Sequence, residues 1–259
     1  MEKIASVHNP LIGRLKSLRE ARGRKAEGLF LVEGEKLMRE ALEAGLRGEI
    51  ALIEEERLEQ FSALCGLLTG AGVQVKQAPR RLIEAVCDTC SPQGACCAFE
   101  PPRPMQLEAA PARLVALDGV QDPGNVGTIW RTADAAGFGG LLLGPGCADA
   151  FSPKVQRAAM GSGFRLPVAN PGALAPALAG LRERGYKIII SALDGQSFYA
   201  RAPLGARYAL VIGSEARGVS EEVAGVADVR LKLPMRGGAE SLNAAVAAGI
   251  MMYELTRDL

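Results

Sequence analysis

The feature that most restricts the fold of this chain is the alternation of short apolar runs with helical patterns after residue 112. Apolar runs at 114–117, 140–143, 187–193, 209–212 and 229–233 are separated by segments of helical periodicity opening near Val126, Pro153, Ala173, Val219 and Ser241. Strand, helix, strand in repeated order requires crossover connections. The runs therefore predict an α/β architecture with a mostly parallel sheet covered on both faces. Ligands on such sheets sit beyond the carboxyl ends of the strands, so the loops after the runs are where chemistry is sought.

Four prolines, Pro101, Pro102, Pro104 and Pro111, interrupt both periodicities before this alternation begins. They predict a linker over 99–111 between a domain at 1–98 and a larger one at 112–259. The first opens with apolar residues at helical spacing over 11–25, while six positive charges, Arg14, Lys16, Arg19, Arg22, Arg24 and Lys25, take the remaining positions. Such a segment is either a solvated helix face or a contact for RNA phosphates. A strand at 29–32, a helix at 35–44, an apolar run at 50–53 and a helix at 55–69 complete the expectation of a small α/β domain.

Composition removes several classes of function. Thirty Lys and Arg face 29 Asp and Glu, for a net charge of +1, so no field of the whole molecule draws a polyanion and any nucleic-acid face is local. The single histidine, His8, stands near the start of the chain. No Ser-His-Asp triad, histidine general base or histidine-rich metal site can form elsewhere. Four of the six cysteines, Cys87, Cys90, Cys96 and Cys97, lie within eleven residues. A zinc knuckle and reduced core thiols are the two readings, and the adjacent pair favours thiols, because neighbouring cysteines rarely both ligate one tetrahedral ion. Reduced thiols point to the cytosol. The longest apolar run, 244–253, is too short to cross a bilayer, and no secretory signal pattern is found.

Neither Gly-x-Gly-x-x-Gly after a strand nor Gly-x4-Gly-Lys-Ser/Thr occurs, so dinucleotide and phosphate loops of the usual kinds are not supported. Three other loops follow strands. The first, Asp118-Gly-Val-Gln-Asp-Pro-Gly-Asn125-Val-Gly127-Thr-Ile-Trp-Arg131, leads into a helix that Asn125 is suited to cap. In the second, Ile212-Gly213-Ser-Glu215-Ala-Arg-Gly218, Gly213 would let a ligand approach the backbone and Glu215 would stand near the first helical turn. The third, Leu233-Pro-Met235-Arg-Gly-Gly-Ala-Glu-Ser241-Leu242-Asn243, enters an Ala-rich helix with Ser241 as the expected cap. The apolar Ala247, Ile250, Met251 and Leu255 of that helix suit packing in the core or against a second subunit.

Asn-x-Gly-x3-Arg, Ile-Gly-Ser-Glu-x2-Gly and Leu-Pro-Met-x5-Ser-Leu-Asn, in that order, resemble the three signature motifs of the SpoU/TrmH family of RNA ribose 2′-O-methyltransferases in the SPOUT superfamily. Asn9-Pro10, Phe30-Leu-Val-Glu-Gly34 and Ser91-Pro-Gln-Gly94 resemble the substrate-binding domain that accompanies it, whose fold is similar to kink-turn-binding ribosomal proteins. The resemblance implies a parallel-sheet domain tied in a deep trefoil knot, a homodimer, and S-adenosylmethionine held without a metal at Gly213, Leu233, Met235 and Leu242. It places Arg131 at the target hydroxyl, assisted by Asn125, Glu215, Ser241 and Asn243. RNA contacts would fall on Arg14, Lys16, Arg22, Arg24 and Lys25. A guanidinium loses its proton only above about pH 12, so the favoured role of Arg131 is a phosphate clamp that orients the hydroxyl, not a base. The third motif departs from the family where Ala244-Ala245 stand in place of Val-Ser. Large-subunit ribosomal RNA is the expected substrate. Transfer RNA, or a non-catalytic role in RNA binding or ribosome assembly, is the alternative.

Overall fold

The computed structural model describes residues 1–89 and 91–257. The chain runs through β1 (Glu2–Lys3), α1 (Pro10–Ser17), α2 (Ala21–Glu27), β2 (Phe30–Glu33), α3 (Glu35–Glu43), β3 (Gly48–Glu54), α4 (Ser62–Gly70), β4 (Gln74–Ala78), α5 (Arg80–Val86) and β5 (Ala95–Phe99). It continues through β6 (Arg113–Asp118), α6 (Pro123–Ala135), β7 (Gly140–Leu143), α7 (Pro153–Ala159), α8 (Ser162–Arg165), β8 (Val168–Ala169), α9 (Leu174–Glu183), β9 (Lys187–Ser197), β10 (Tyr208–Gly213), α10 (Glu221–Ala224), β11 (Val229–Lys232) and α11 (Ala244–Leu255). Among the described residues no helix is long and apolar enough to cross a membrane.

Two compact units form. One comprises Met1–Pro102 with Phe151–Phe164, the other Arg103–Ala150 with the chain from Arg165 onward. The expected second domain over 112–259 thus differs at one segment, since residues 151–164 pack with the first unit. The cause is aromatic. Phe151 and Phe164 set their rings 5.1 and 6.1 Å from the fully buried Phe30 of β2 and help close its core.

The first unit is a five-stranded sheet in the order β1-β4-β3-β5-β2, in which β5 runs antiparallel to β2 and β3 and the remaining pairs are parallel. Alternation sends Phe30 and Val32 to one core and Leu31 to the other, so both faces are buried. Asn9 caps α1 by accepting from the Leu11 amide at 2.9 Å, with Pro10 in the first turn. The basic stretch expected as one helical pattern is two helices. Gly23 of α2 lies so close to the Ser17 carbonyl that a Cβ there would fall 2.0 Å from its oxygen. The helix expected from residue 55 begins only at Ser62. Arg57 donates to the Gln93 carbonyl at 2.6 Å and stacks on the Phe61 ring, which holds the preceding residues in a turn.

The second unit bears out the parallel sheet. Six strands in the order β11-β9-β10-β6-β7-β8 are all parallel. Leu114, Ala116, Ile188, Ile190, Ala209 and Val211 turn to a core shared with α9, while Val115, Leu117, Leu210 and Ile212, also buried, turn to the opposite face. There α11 packs on α6 and β10. Both expected caps of the second unit move. Asp122 caps α6, accepting from the Asn125 amide at 2.7 Å, because Pro123 takes the first helical position and leaves the preceding residue extended. Asn243 caps α11, accepting from the amides of Ala245 at 2.9 Å and Val246 at 3.3 Å, and Ser241 stands outside the helix.

Candidate functional site

From β6 the chain steps outward to β7 and β8, whereas β10 leads the other way to β9 and β11. Crevices form where strand order reverses in this manner. A cavity of about 700 Å³ opens beyond the carboxyl ends of β9, β10 and β11, with the start of α11 as a further wall. Its volume lies in the ~300–1,000 Å³ range of small-molecule sites. Ile190, Ile212, Leu233 and Leu242 give it apolar walls, and Ser214, Glu215, Ser241 and Asn243 add polar groups. A smaller groove of about 410 Å³ shares Leu233, Met235 and Leu242 and extends to Tyr199 and Ile250.

All four residues expected to hold a cofactor, Gly213, Leu233, Met235 and Leu242, line the larger cavity. The reason for glycine at 213 differs from the expectation. A Cβ there would lie 2.1 Å from the Gly218 carbonyl carbon, so the constraint comes from the loop folding on itself. Ser214 and Gly218 exchange backbone hydrogen bonds of 3.0 and 2.9 Å across this loop. Glu215 accordingly sits in the tight loop and not in a first helical turn, since α10 starts at Glu221 behind a Ser220 cap. The Ser220 amide donates to Asp118 at 2.7 Å, tying the start of α10 to the end of β6.

Three distant motifs meet at the cavity rim. The Asn125 side-chain amide donates to the Glu215 carboxylate, and Asn243 donates to the Asn125 carbonyl oxygen at 3.0 Å. Asn125 is thereby held at both ends of its amide, while Asn243 keeps its own oxygen on the start of α11. Ser241 is exposed at the same rim. Arg131 is exposed on α6, forms no hydrogen bond or ion pair among the described residues, and is not part of the cavity wall.

The basic segment of the first unit divides by burial. Lys16, Arg22 and Lys25 are exposed and carry no ion pair among the described residues. Arg24 is a correction: it is buried, and its guanidinium donates to the Leu18 and Arg19 carbonyls at 2.8 Å, so it closes the α1–α2 turn from inside. Arg14 is a second. It is paired with Glu49 and Glu27, whose carboxylates push its guanidinium further above the usual range and occupy its donors.

Cys87, Cys96 and Cys97 are buried in the first unit, and Cys90 lies outside the described residues. Cys87 is pushed up by its hydrogen bond with Cys96 and by burial, and Cys97 by burial, so both remain protonated thiols at neutral pH. Among the described residues no group of three His, Cys, Asp or Glu could hold a metal ion.

The sequence motifs missed one part of the cavity, a stretch of β9 over residues 191–195. Its first four residues line the cavity, and its only sequence sign is Gly195 following an apolar run.

Residues 112–253 match the SpoU rRNA methylase family, and residues 9–97 match the MRM3-like substrate binding domain. The chain is 36% identical, over 98% of its length and 99% of that protein's, to the 23S rRNA (guanosine(2553)-2'-O)-methyltransferase RlmP of Bacillus subtilis (strain 168). It is similar to a crystal structure of an AdoMet-bound rRNA methyltransferase from Sinorhizobium meliloti, with a TM-score of 0.88 and 32% identity, covering 100% of this chain and 98% of that one. It is also similar to the SpoU methyltransferase AviRb from Streptomyces viridochromogenes in complex with AdoMet, with a TM-score of 0.83 and 27% identity over 96% of this chain and 98% of that one.

Proposed function

We propose, from the premise that this chain belongs to the SpoU rRNA methylase family, that it transfers a methyl group from S-adenosylmethionine to a ribose 2′-hydroxyl of large-subunit ribosomal RNA. The observation that carries this reading is the hydrogen-bonded junction of Asn125, Glu215 and Asn243 on the rim of an apolar cavity. The cavity fits the donor. Its apolar walls suit a purine, and its loops present backbone groups that can bind the ring edge. Gly213, Leu233, Met235 and Leu242 would hold S-adenosylmethionine, which when bound supplies a methyl group already activated as a sulfonium.

The chain's own contribution is placement. Holding a hydroxyl in line with its acceptor carbon replaces an encounter in solution and is worth up to ~7–11 kcal/mol. Glu215 and Asn243 fix the Asn125 amide before substrate arrives, and Ser241 offers a further hydroxyl at the same rim. Arg131, which forms no hydrogen bond or ion pair among the described residues, clamps the phosphate beside the target ribose. The first unit recognises the RNA through Lys16, Arg22 and Lys25, and the second carries out the transfer. The segment from Leu233 to Asn243 belongs to the threading of a trefoil knot, and the buried protonated thiols suit a cytosolic compartment.

A second copy of the chain completes the site. Val246, Ile250 and Tyr253 recur on one face of α11 and are 51%, 38% and 55% exposed, an apolar stripe of the kind that marks an interface. Arg131 lies outside the cavity of its own chain, so its clamp serves the cavity of the other copy. Ile250→Glu is expected to convert a dimer to a monomer in sedimentation velocity and to abolish transfer; a dimer that persists would overturn this assembly.

The whole reading is tested by transfer of tritiated methyl from S-adenosylmethionine to total RNA of a strain lacking the gene, followed by nucleoside analysis. Label is expected in a 2′-O-methylnucleoside of the large ribosomal RNA. Label in transfer RNA would keep the chemistry and replace the substrate. Donor binding without label on any RNA would make the protein a non-catalytic RNA binder.

A further inference from the structure

The end of the second unit opposite the cavity carries a basic groove. Lys187 opens β9, Arg207 precedes β10 and Asp228 precedes β11, so the groove lies at the amino ends of three neighbouring strands. Its volume is about 380 Å³. Arg182, Lys187 and Arg207 line it with a single carboxylate, Asp228. That carboxylate is already engaged, accepting from the Ile188 amide at 2.8 Å and standing 3.8 Å from Arg182. Three cations beside one anion make a local positive field that the net charge of +1 conceals.

Arg207 is held in place before any ligand arrives. Its guanidinium lies over the Tyr186 ring, 4.3 Å from the centroid, and donates to the Tyr186 hydroxyl at 3.0 Å and the Arg184 carbonyl at 3.3 Å. Tyr186 is itself buried and donates to the carbonyls before β6, with Pro111 at 2.9 Å. The other N–H groups of the Arg207 fork have no partner among the described residues, and neither does the Lys187 ammonium. The amides of Leu204, Gly205 and Ala206, in the loop that lines the groove, also donate to nothing among the described residues.

Resting on the RNA substrate proposed above, we propose that this groove is a second RNA contact, one that takes backbone phosphates of the substrate several nucleotides from the methylated ribose. A planar guanidinium fork, an ammonium and backbone N–H groups are the donors that hold phosphate oxygens. Leu204 and Ala206 are the only aliphatic side chains in the lining, so the apolar centre of a protein interface is missing. Distance sets which part of the RNA is reached. The six residues of β10 separate the groove from the donor cavity by roughly 16 Å of strand, longer than the step between neighbouring phosphates.

Filter binding of the full chain to large ribosomal RNA from a strain lacking the gene, over about 50 to 200 mM salt, tests this. Lys187→Gln combined with Arg207→Gln is expected to raise the Kd about tenfold and to lower the slope of log Kd against log salt by about 1.5, the share of two phosphate contacts. Affinity for S-adenosylhomocysteine stays unchanged, because neither residue lines the donor cavity, and reports that the variant is folded. If the double variant does not fold, Lys187→Gln alone, which breaks no side-chain contact among the described residues, is expected to show half the change in slope. Lys187→Arg keeps both Kd and slope. An unchanged Kd and slope in the folded variant would overturn the proposal, as would a weaker Kd with an unchanged slope, which would make the groove a matter of packing. Loss of poly-glutamate binding with RNA binding intact would also overturn it and give the groove to an acidic protein segment. If the unaltered chain binds no ribosomal RNA, the substrate reading itself fails, and that result is distinct from the others.

Discussion

Replacing Arg131 by alanine is expected to lower methyl transfer by about 10²–10³-fold at saturating RNA and donor, the loss typical of removing one hydrogen-bond donor preorganised toward the reacting centre. The affinity for S-adenosylhomocysteine should stay within twofold, because Arg131 is no part of the cavity wall. The backbone that carries Arg131 is well fixed: the neighbouring Trp130 is fully buried and its indole N–H donates to the Leu166 carbonyl at 3.0 Å. Arg131→Lys separates the two chemical roles. A lysine keeps the charge but loses the planar fork, so a clamp predicts a rate that stays depressed across the pH range. A rate that recovers fully at high pH would instead identify residue 131 as the base.

Phe164→Ala is the second large effect, and it acts on stability. The side chain is 6% exposed in the core of the first unit, beside Phe30. Truncating a buried phenylalanine to alanine costs about 3–5 kcal/mol, from lost burial and the cavity left behind. Urea unfolding followed by far-UV circular dichroism should show the transition of the first unit moving to lower denaturant. Affinity for S-adenosylhomocysteine is expected to persist at low denaturant, since the cavity belongs to the second unit. An unchanged urea profile would mean that residues 151–164 do not stabilise the first unit. The same contact predicts that a chain ending at Pro102 is less stable than one to which residues 151–164 have been joined.

Periodicity determined the parallel sheet, because crossover connections between apolar runs leave few other arrangements. Local chemistry also located all three loops, since a residue type at fixed spacing after a strand is a property of the chain. The caps were less legible. Asp122 and Asn125 are both good capping types, and only the extended backbone that Pro123 imposes on residue 122 selects the first. Charge patterning likewise grouped Arg24 with Lys25, yet the turn between α1 and α2 takes one guanidinium inside to satisfy two carbonyls and leaves the other side chain in water.

What the tertiary structure alone decided are the contacts between residues far apart in sequence. Asn243 meets Asn125 across 118 positions, and Phe164 meets Phe30 across a predicted domain boundary. No window of the sequence contains both partners of either contact. A bulge in β9 is of the same kind. Its apolar run reads as continuous strand, and it breaks only because β11 pairs with residues 190 and 196 and leaves those between without a ladder partner on that side. Periodicity reports which faces of an element are buried, whereas register and the meeting of loops are settled by the neighbours the element acquires when the chain folds.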